Sequence, residues 1–159
     1  MFNRVLVAND GSEHARQAVE VATDLAARYG AELHSISVEE DLPRYAGTIG
    51  EVKEVKRQRN GYFAEVNEQA RAVARGKGVE LHCEVRAGHE VETIVAYCKE
   101  GGFDLLVIGF MGHSAIFGRI WGSTSQNLAR LAPCSVLLVK RSRDSELSGH
   151  GAPQAGRSD

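Results

Sequence analysis

The residues best suited to chemistry in this sequence form a glycine- and hydroxyl-rich segment from Gly109 to Ser125. It follows the apolar run 105–108, which has the length and residue types of a buried strand, and precedes residues 126–132, a candidate helix that ends before Pro133. Glycines let the backbone approach a ligand closely, and the unpaired N–H groups at a helix amino terminus favour anions. The segment therefore predicts a site for the phosphates of a nucleotide.

A second polar segment, Asn-Asp-Gly-Ser at 9–12, follows the apolar run 5–8 near the start of the chain. In open parallel sheets, ligands bind beyond the carboxyl ends of the strands, where the strand order reverses. If the strands at 5–8 and 105–109 are neighbours, the two polar segments form opposite walls of one crevice.

Structural roles compete with these functional interpretations. Asp10-x-x-Glu13 and Ser123-x-x-Gln126 both have the spacing of a helix capping box, so either residue could simply cap a helix. The glycines could be turn formers only, although their spacing and the adjoining hydroxyl groups favour phosphate binding. Trp121 and Phe117 are best explained as packing residues.

Strand and helix patterns alternate along the chain, which predicts an α/β domain with a mostly parallel sheet. Strands are predicted at 5–8, 33–38, 79–85, 105–109 and 135–140, and helices at 15–29, 62–74, 90–99 and 126–132. Residues 41–60 have no clean period, and we interpret them as a surface excursion that is partly helical toward its end. The charged run 53–59 within it is interpreted as a solvated face.

Length and composition fit one globular domain at 1–141, followed by a disordered tail at 142–159. The chain has 159 residues, 43% of them hydrophobic, and a net charge of −2, which argues against a broad nucleic-acid surface. Apolar runs are too short to cross a membrane, and the first residues are too quickly polar for a signal peptide. Cys83, Cys98 and Cys134 show no metal-binding or disulfide spacing, so a cytoplasmic protein with reduced thiols is predicted.

The glycine segment carries neither GxxxxGK[ST] nor GxGxxG, the two common phosphate-binding motifs. It carries G-x2-G-x9-G-S instead, formed by Gly109, Gly112, Gly122 and Ser123. Together with Asp-Gly-Ser at 10–12 and the stretch Ala-Pro-Cys-Ser-Val-Leu-Leu-Val at 132–139, this pattern resembles the universal stress protein family. The resemblance extends from the first residues to about Lys140.

The resemblance implies a three-layer α/β/α sandwich around a five-stranded parallel sheet in the order 3-2-1-4-5. This is the Rossmann-like arrangement of the adenine nucleotide alpha hydrolases. It also implies membership of the ATP-binding branch of the family and a homodimer joined along the fifth strand, at Val136–Lys140.

Site residues follow from the same resemblance. Gly109, Gly112, Gly122 and Ser123 would hold the ribose and phosphates of ATP, extended by Thr124 and Ser125 at the helix start. Asp10 would lie near the ribose and a phosphate-bound Mg²⁺, and the backbone of Ala8, Asn9 and Val38 would line the adenine slot. Met111 stands where family members often place a basic or polar residue, so His113, included in the site, or Arg119 would supply positive charge.

Function is predicted as a non-enzymatic, ATP-binding regulator in the stress response that acts on an unidentified protein partner, with AMP or ADP as other candidate ligands. Apart from Asp10, the sequence offers no pair of catalytic groups near the glycines. The alternative is a slow ATPase or nucleotidyl-handling enzyme on the same scaffold. A dimerising module without a nucleotide site is disfavoured by the intact glycine-serine motif.

Overall fold

The computed structural model describes residues 1–40, 48–110 and 123–140. These residues form strands and helices in strict alternation, as the sequence predicts. In chain order the elements are β1 (Arg4–Ala8), α1 (Glu13–Tyr29), β2 (Glu32–Glu39), α2 (Ile49–Gly76), β3 (Leu81–Ala87), α3 (Glu90–Gly101), β4 (Leu105–Phe110), α4 (Ser123–Leu131) and β5 (Ser135–Lys140).

The strands form one five-stranded sheet in the order β3-β2-β1-β4-β5, with every neighbouring pair parallel. The predicted fold class and strand order are therefore confirmed. β1 lies at the centre, where Val5 pairs with Leu33 of β2 on one side and with Leu105 of β4 on the other. The order reverses between β1 and β4, so a crevice opens at the carboxyl ends of these two strands.

Two hydrophobic layers cover the two faces of the sheet. On one face, Val5 and Val7 of β1 pack with small residues of α1 and α2, such as Ala22 and Ala70. On the other, Leu6 packs with residues of α3 and α4. Both faces of β1 are buried, which explains why its sequence is a continuous apolar run rather than an alternating one.

α2 differs from the sequence interpretation. The excursion was expected to reach residue 60, but the helix begins at Ile49 and is 28 residues long. Thr48 caps it in a capping box with Glu51, in which each side chain accepts a hydrogen bond from the other residue's backbone N–H. Residues 41–47 and the predicted tail at 142–159 lie outside the described residues.

All three cysteines are free thiols. Cys98, on the buried face of α3, packs in the same hydrophobic cluster as Cys134, which precedes β5. Burial raises the pKa of the Cys98 thiol to about 12 and also raises the pKa of Cys134. Both thiols are therefore poor nucleophiles at neutral pH.

None of the helices in the described ranges combines the length and apolar character needed to span a membrane.

Candidate functional site

The turn between β1 and α1 forms one wall of the crevice and is fixed by side-chain hydrogen bonds. Asn9, only 4% exposed, accepts the N–H of Gly11 at its Oδ1 at 3.1 Å. Asp10 accepts the N–H of Ser12 at its Oδ1 at 2.9 Å. Gly11 has a φ of 82°, a backbone conformation that favours glycine. The turn therefore holds the exposed Asp10 carboxylate at the sheet edge.

Ser12, not Asp10, caps α1. Its Oγ accepts the N–H of Ala15 at 3.2 Å, whereas Asp10 lies two residues earlier and bonds within the turn. The capping interpretation of Asp10 is therefore wrong, because α1 starts two residues too late for Asp10 to be its N-cap residue. The carboxylate keeps its position at the edge of the crevice.

The backbone of Asn9 is tied to β2 on both sides of the residue. Its N–H donates to the carbonyl of Ile36 at 2.9 Å, and its carbonyl accepts the hydroxyl of Ser37 at 2.6 Å. A ligand would meet only the second lone pair of that carbonyl. Ala8, half-buried, precedes this tie, and Val38 lines the neighbouring pocket.

Gly109 brings β4 into close contact with the start of α1. A Cβ on this residue would lie 2.4 Å from the backbone oxygen of His14 and 2.9 Å from the nitrogen of Ala15. Only a glycine fits there without displacing backbone. The residue therefore has a packing role at the crevice, whether or not it also contacts a ligand.

The first turn of α4 forms the opposite wall. The helix begins at Ser123, so the N–H groups of Ser123, Thr124 and Ser125 have no acceptor within the helix. Such a terminus is suited to binding anions. Four predicted site residues, Met111, Gly112, His113 and Gly122, lie outside the described residues, as does the side chain of Ser123.

A pocket of about 640 Å³ lies beside this crevice, between the carboxyl end of β2 and the amino-terminal half of α2. Its lining among the described residues is Asp10, Val38, Glu39, Glu40, Val55, Gln58, Arg59, Tyr62, Phe63 and Glu90. Most of the charged groups in this lining are carboxylates, and the only cation among its described residues is the guanidinium of Arg59. Its polar groups are therefore mainly hydrogen-bond acceptors, which match hydroxyl and amino groups of a ligand.

Glu90 is a site residue that the sequence interpretation missed. It opens α3 directly after β3 and is half-buried in the pocket, where Thr124 Oγ1 donates to its Oε2 at 3.5 Å. Burial raises the pKa of its carboxyl, and the charges of Asp10 and Glu40 raise that pKa further. The sequence did contain a signal for Glu90, because the residue follows a predicted strand and the carboxyl ends of all parallel strands lie at one edge of the sheet.

Two residues of α2, Arg59 and Tyr62, were also missed. Arg59 was assigned to a solvated face, but it is half-buried: Nη1 donates to the carbonyl of Glu40 at 2.6 Å and lies 3.7 Å from Oε1 of Glu39. The hydroxyl of Tyr62 donates to the carbonyl of Asp10. Both contacts tie α2 to the strand ends that form the site.

The described side chains do not form a metal site by themselves. Among residues 1–40, 48–110 and 123–140, no group of three or more His, Cys, Asp or Glu side chains could hold a metal ion. A cation at Asp10 would therefore depend on oxygen ligands from a bound molecule or water, the usual arrangement for Mg²⁺ on a nucleotide.

Comparisons with known proteins give a consistent result. The model of the universal stress protein family matches residues 1–140. The chain is 30% identical over 148 residues to universal stress protein YxiE of Bacillus subtilis, covering 88% of this chain and 100% of that one. It is 34% identical over 142 residues to a universal stress protein of Thermus aquaticus, again covering 88% and 100%.

Solved structures agree with these matches. One universal stress protein, solved in complex with cAMP, superposes with a TM-score of 0.69 at 28% identity. The match covers 87% of this chain and 97% of that protein.

Gly109→Ala tests the packing at the crevice. Because the new methyl group would meet backbone of α1 that cannot rotate away, we expect the free energy of unfolding to fall by about 1–3 kcal/mol in urea denaturation. Gly76→Ala is the matched control, because a Cβ at Gly76 meets nothing within 4 Å. Equal stability of the two variants would contradict the close approach of β4 to α1.

Proposed function

The chain belongs to the universal stress protein family, and on that basis we propose that it binds ATP and acts as a nucleotide-dependent regulator rather than as an enzyme. The observation that carries the proposal is the meeting of two elements at the reversal of strand order. The turn that holds Asp10 lies there with the first turn of α4, beside the acidic pocket. This is where open α/β sheets bind nucleotides.

The two sides of the site suit the two ends of a nucleotide. The acceptor-rich pocket matches the ribose hydroxyls and the amino group of adenine, with Val38 offering an apolar contact to the base. The amino terminus of α4 suits the phosphates, which Thr124 and Ser125 would bind through backbone N–H groups and hydroxyls. Gly109, Gly112, Gly122 and Ser123 complete that side in the proposed site.

Mg²⁺ fits the same arrangement. Triphosphate oxygens near Asp10, Glu40 and Glu90 would be repelled by the carboxylates, and a divalent cation shared between the phosphates and Asp10 relieves that repulsion. The cAMP complex of the 28% identical relative supports an adenine nucleotide as the ligand class, with AMP and ADP as competitors of ATP.

The regulator is proposed to be a cytoplasmic homodimer. β5 is an edge strand of the sheet, and Leu138 on it is 38% exposed, which fits pairing of Val136–Lys140 with a second copy. The adjacent, unlinked thiols of Cys98 and Cys134 fit a reducing compartment. Bound nucleotide would then bias the contacts of the dimer with a protein partner.

Thermal unfolding with and without ATP-Mg tests nucleotide binding. At 100 times its Kd, ATP should add about 2.7 kcal/mol to the free energy of unfolding, because it binds only the folded state. Gly122→Val should abolish the gain, whereas Gly76→Val, at an unobstructed helix end, should keep it. An unchanged unfolding temperature in the wild type would refute the proposal.

Glu90 provides a specific reason to keep the slow ATPase as a second candidate. A half-buried carboxyl with a raised pKa beside Asp10 is the kind of group that could accept a proton from water. The regulator proposal requires that bound ATP stay intact. The ATPase requires multiple turnover that depends on this carboxyl.

Product formation under multiple-turnover conditions separates the two candidates. We expect no release of phosphate beyond background from the wild type. Turnover that is lost in Glu90→Gln but kept in Glu92→Gln, an exposed neighbour on α3, would favour the ATPase instead.

A further inference from the structure

α2 consists of two parts that differ in how firmly they are packed. From Thr48 to Glu65 no residue is fully buried. The buried residues of the helix all lie farther along it, at Val66, Asn67, Ala70 and Ala74. The amino-terminal part therefore projects beyond the packed body of the domain.

The inner face of this projecting part covers the pocket. Val52, Val55 and Arg59 are half-buried and follow one another at helical spacing, and Val55, Gln58 and Arg59 line the pocket. The contacts described for Arg59, to the carbonyl of Glu40 at 2.6 Å and to the Glu39 carboxylate at 3.7 Å, join this part to the end of β2. A solvent-screened ion pair of this kind is a weak attachment.

The anchored part begins with close contacts to the β1–α1 turn. Tyr62 donates its hydroxyl to the carbonyl of Asp10. A Cβ on Gly11 would lie 2.4 Å from the oxygen of Tyr62 and 2.6 Å from Cγ2 of Val66. The helix is thus held tightly from Tyr62 onward and loosely before it.

Gly61 lies at the boundary between the two parts. It is exposed in the interior of the helix, and a Cβ there would meet nothing within 4 Å, so no neighbour requires a glycine. Glycine is the ordinary residue least favourable to a helix interior after proline. An unforced glycine therefore weakens the helix at the residue where its packing changes.

We propose that residues 48–60 form a lid over the nucleotide pocket, with Gly61 as its hinge and Arg59 as its latch. This inference rests on the proposed function, because it takes the pocket as the nucleotide site. Opening bends α2 at Gly61 and releases Arg59 from Glu39 and Glu40, which exposes the pocket for entry or exit. Closing restores the helix and covers the ligand.

Gly61→Ala tests the hinge without altering a pocket residue. Alanine favours the helix and so disfavours the bent, open state. Stopped-flow fluorescence with a methylanthraniloyl derivative of ATP should show association and dissociation both slowed about fivefold, the factor that corresponds to the difference in helix propensity. The Kd should change little, because the free and bound states are both closed. Gly76→Ala, in the anchored part, should match the wild type.

Removing the latch should change the dissociation rate in the opposite direction to Gly61→Ala. Arg59→Gln should speed dissociation of the nucleotide, whereas Arg57→Gln, an exposed neighbour on the same helix, should not. Unchanged rates in Gly61→Ala together with unchanged dissociation in Arg59→Gln would overturn the lid.

Hydrogen exchange separates failure of the lid from failure of nucleotide binding, because it needs no ligand. In the wild type, amides 53–60 should exchange faster than amides 66–74, and Gly61→Ala should slow the first group about fivefold. Equal exchange in the two groups would refute the lid even if ATP binds. Absence of ATP binding with the predicted exchange pattern would refute the nucleotide assignment and leave the hinged segment established.

Discussion

The pairing of β1 with β4 is the constraint on which the rest of this structure depends. The two strands are about a hundred residues apart in sequence, yet Val5 pairs with Leu105 and Val7 with Val107 at the centre of the sheet. The helices that follow them, α1 and α4, pack on opposite faces of the sheet. The two strand-to-helix connections therefore diverge and leave a crevice between them. Gly109 allows the close approach of β4 to α1 at this edge, because a Cβ there would collide with the backbone of α1.

Electrostatics then divide the crevice into two regions. On the β2 and α2 side, the carboxylates of Glu39, Glu40 and Glu90 face a pocket in which the described cation, Arg59, is already engaged. On the α4 side, the first helical turn, whose N–H groups have no acceptor within the helix, favours negative charge. An acceptor-rich region next to an anion-binding one is matched by a molecule that has hydroxyl and amino donors at one end and phosphate at the other.

Much of the fold could be predicted from the sequence, because buried strands and amphipathic helices leave strong apolar patterns. The amino-terminal part of α2 could not, since its inner stripe of Val52, Val55 and Arg59 is only half-buried and includes a cation. Glu90 was missed because its neighbours, the charge of Asp10 and the hydroxyl of Thr124, are brought near it only by the tertiary fold. The turn containing Asp10, in contrast, was recognisable as an asparagine-aspartate-glycine segment at a strand end.

The most direct test of the central claim, that a nucleotide binds at the carboxyl end of the sheet, is an ATP-Mg titration followed by the backbone amide resonances of the protein. The largest shifts are expected at Asp10, Gly11, Glu40, Thr124 and Ser125. Amides at the opposite end of the sheet, such as Asn3 and Asp104, should remain unshifted. Saturable shifts concentrated at that opposite end, or no shifts at all, would contradict the central claim.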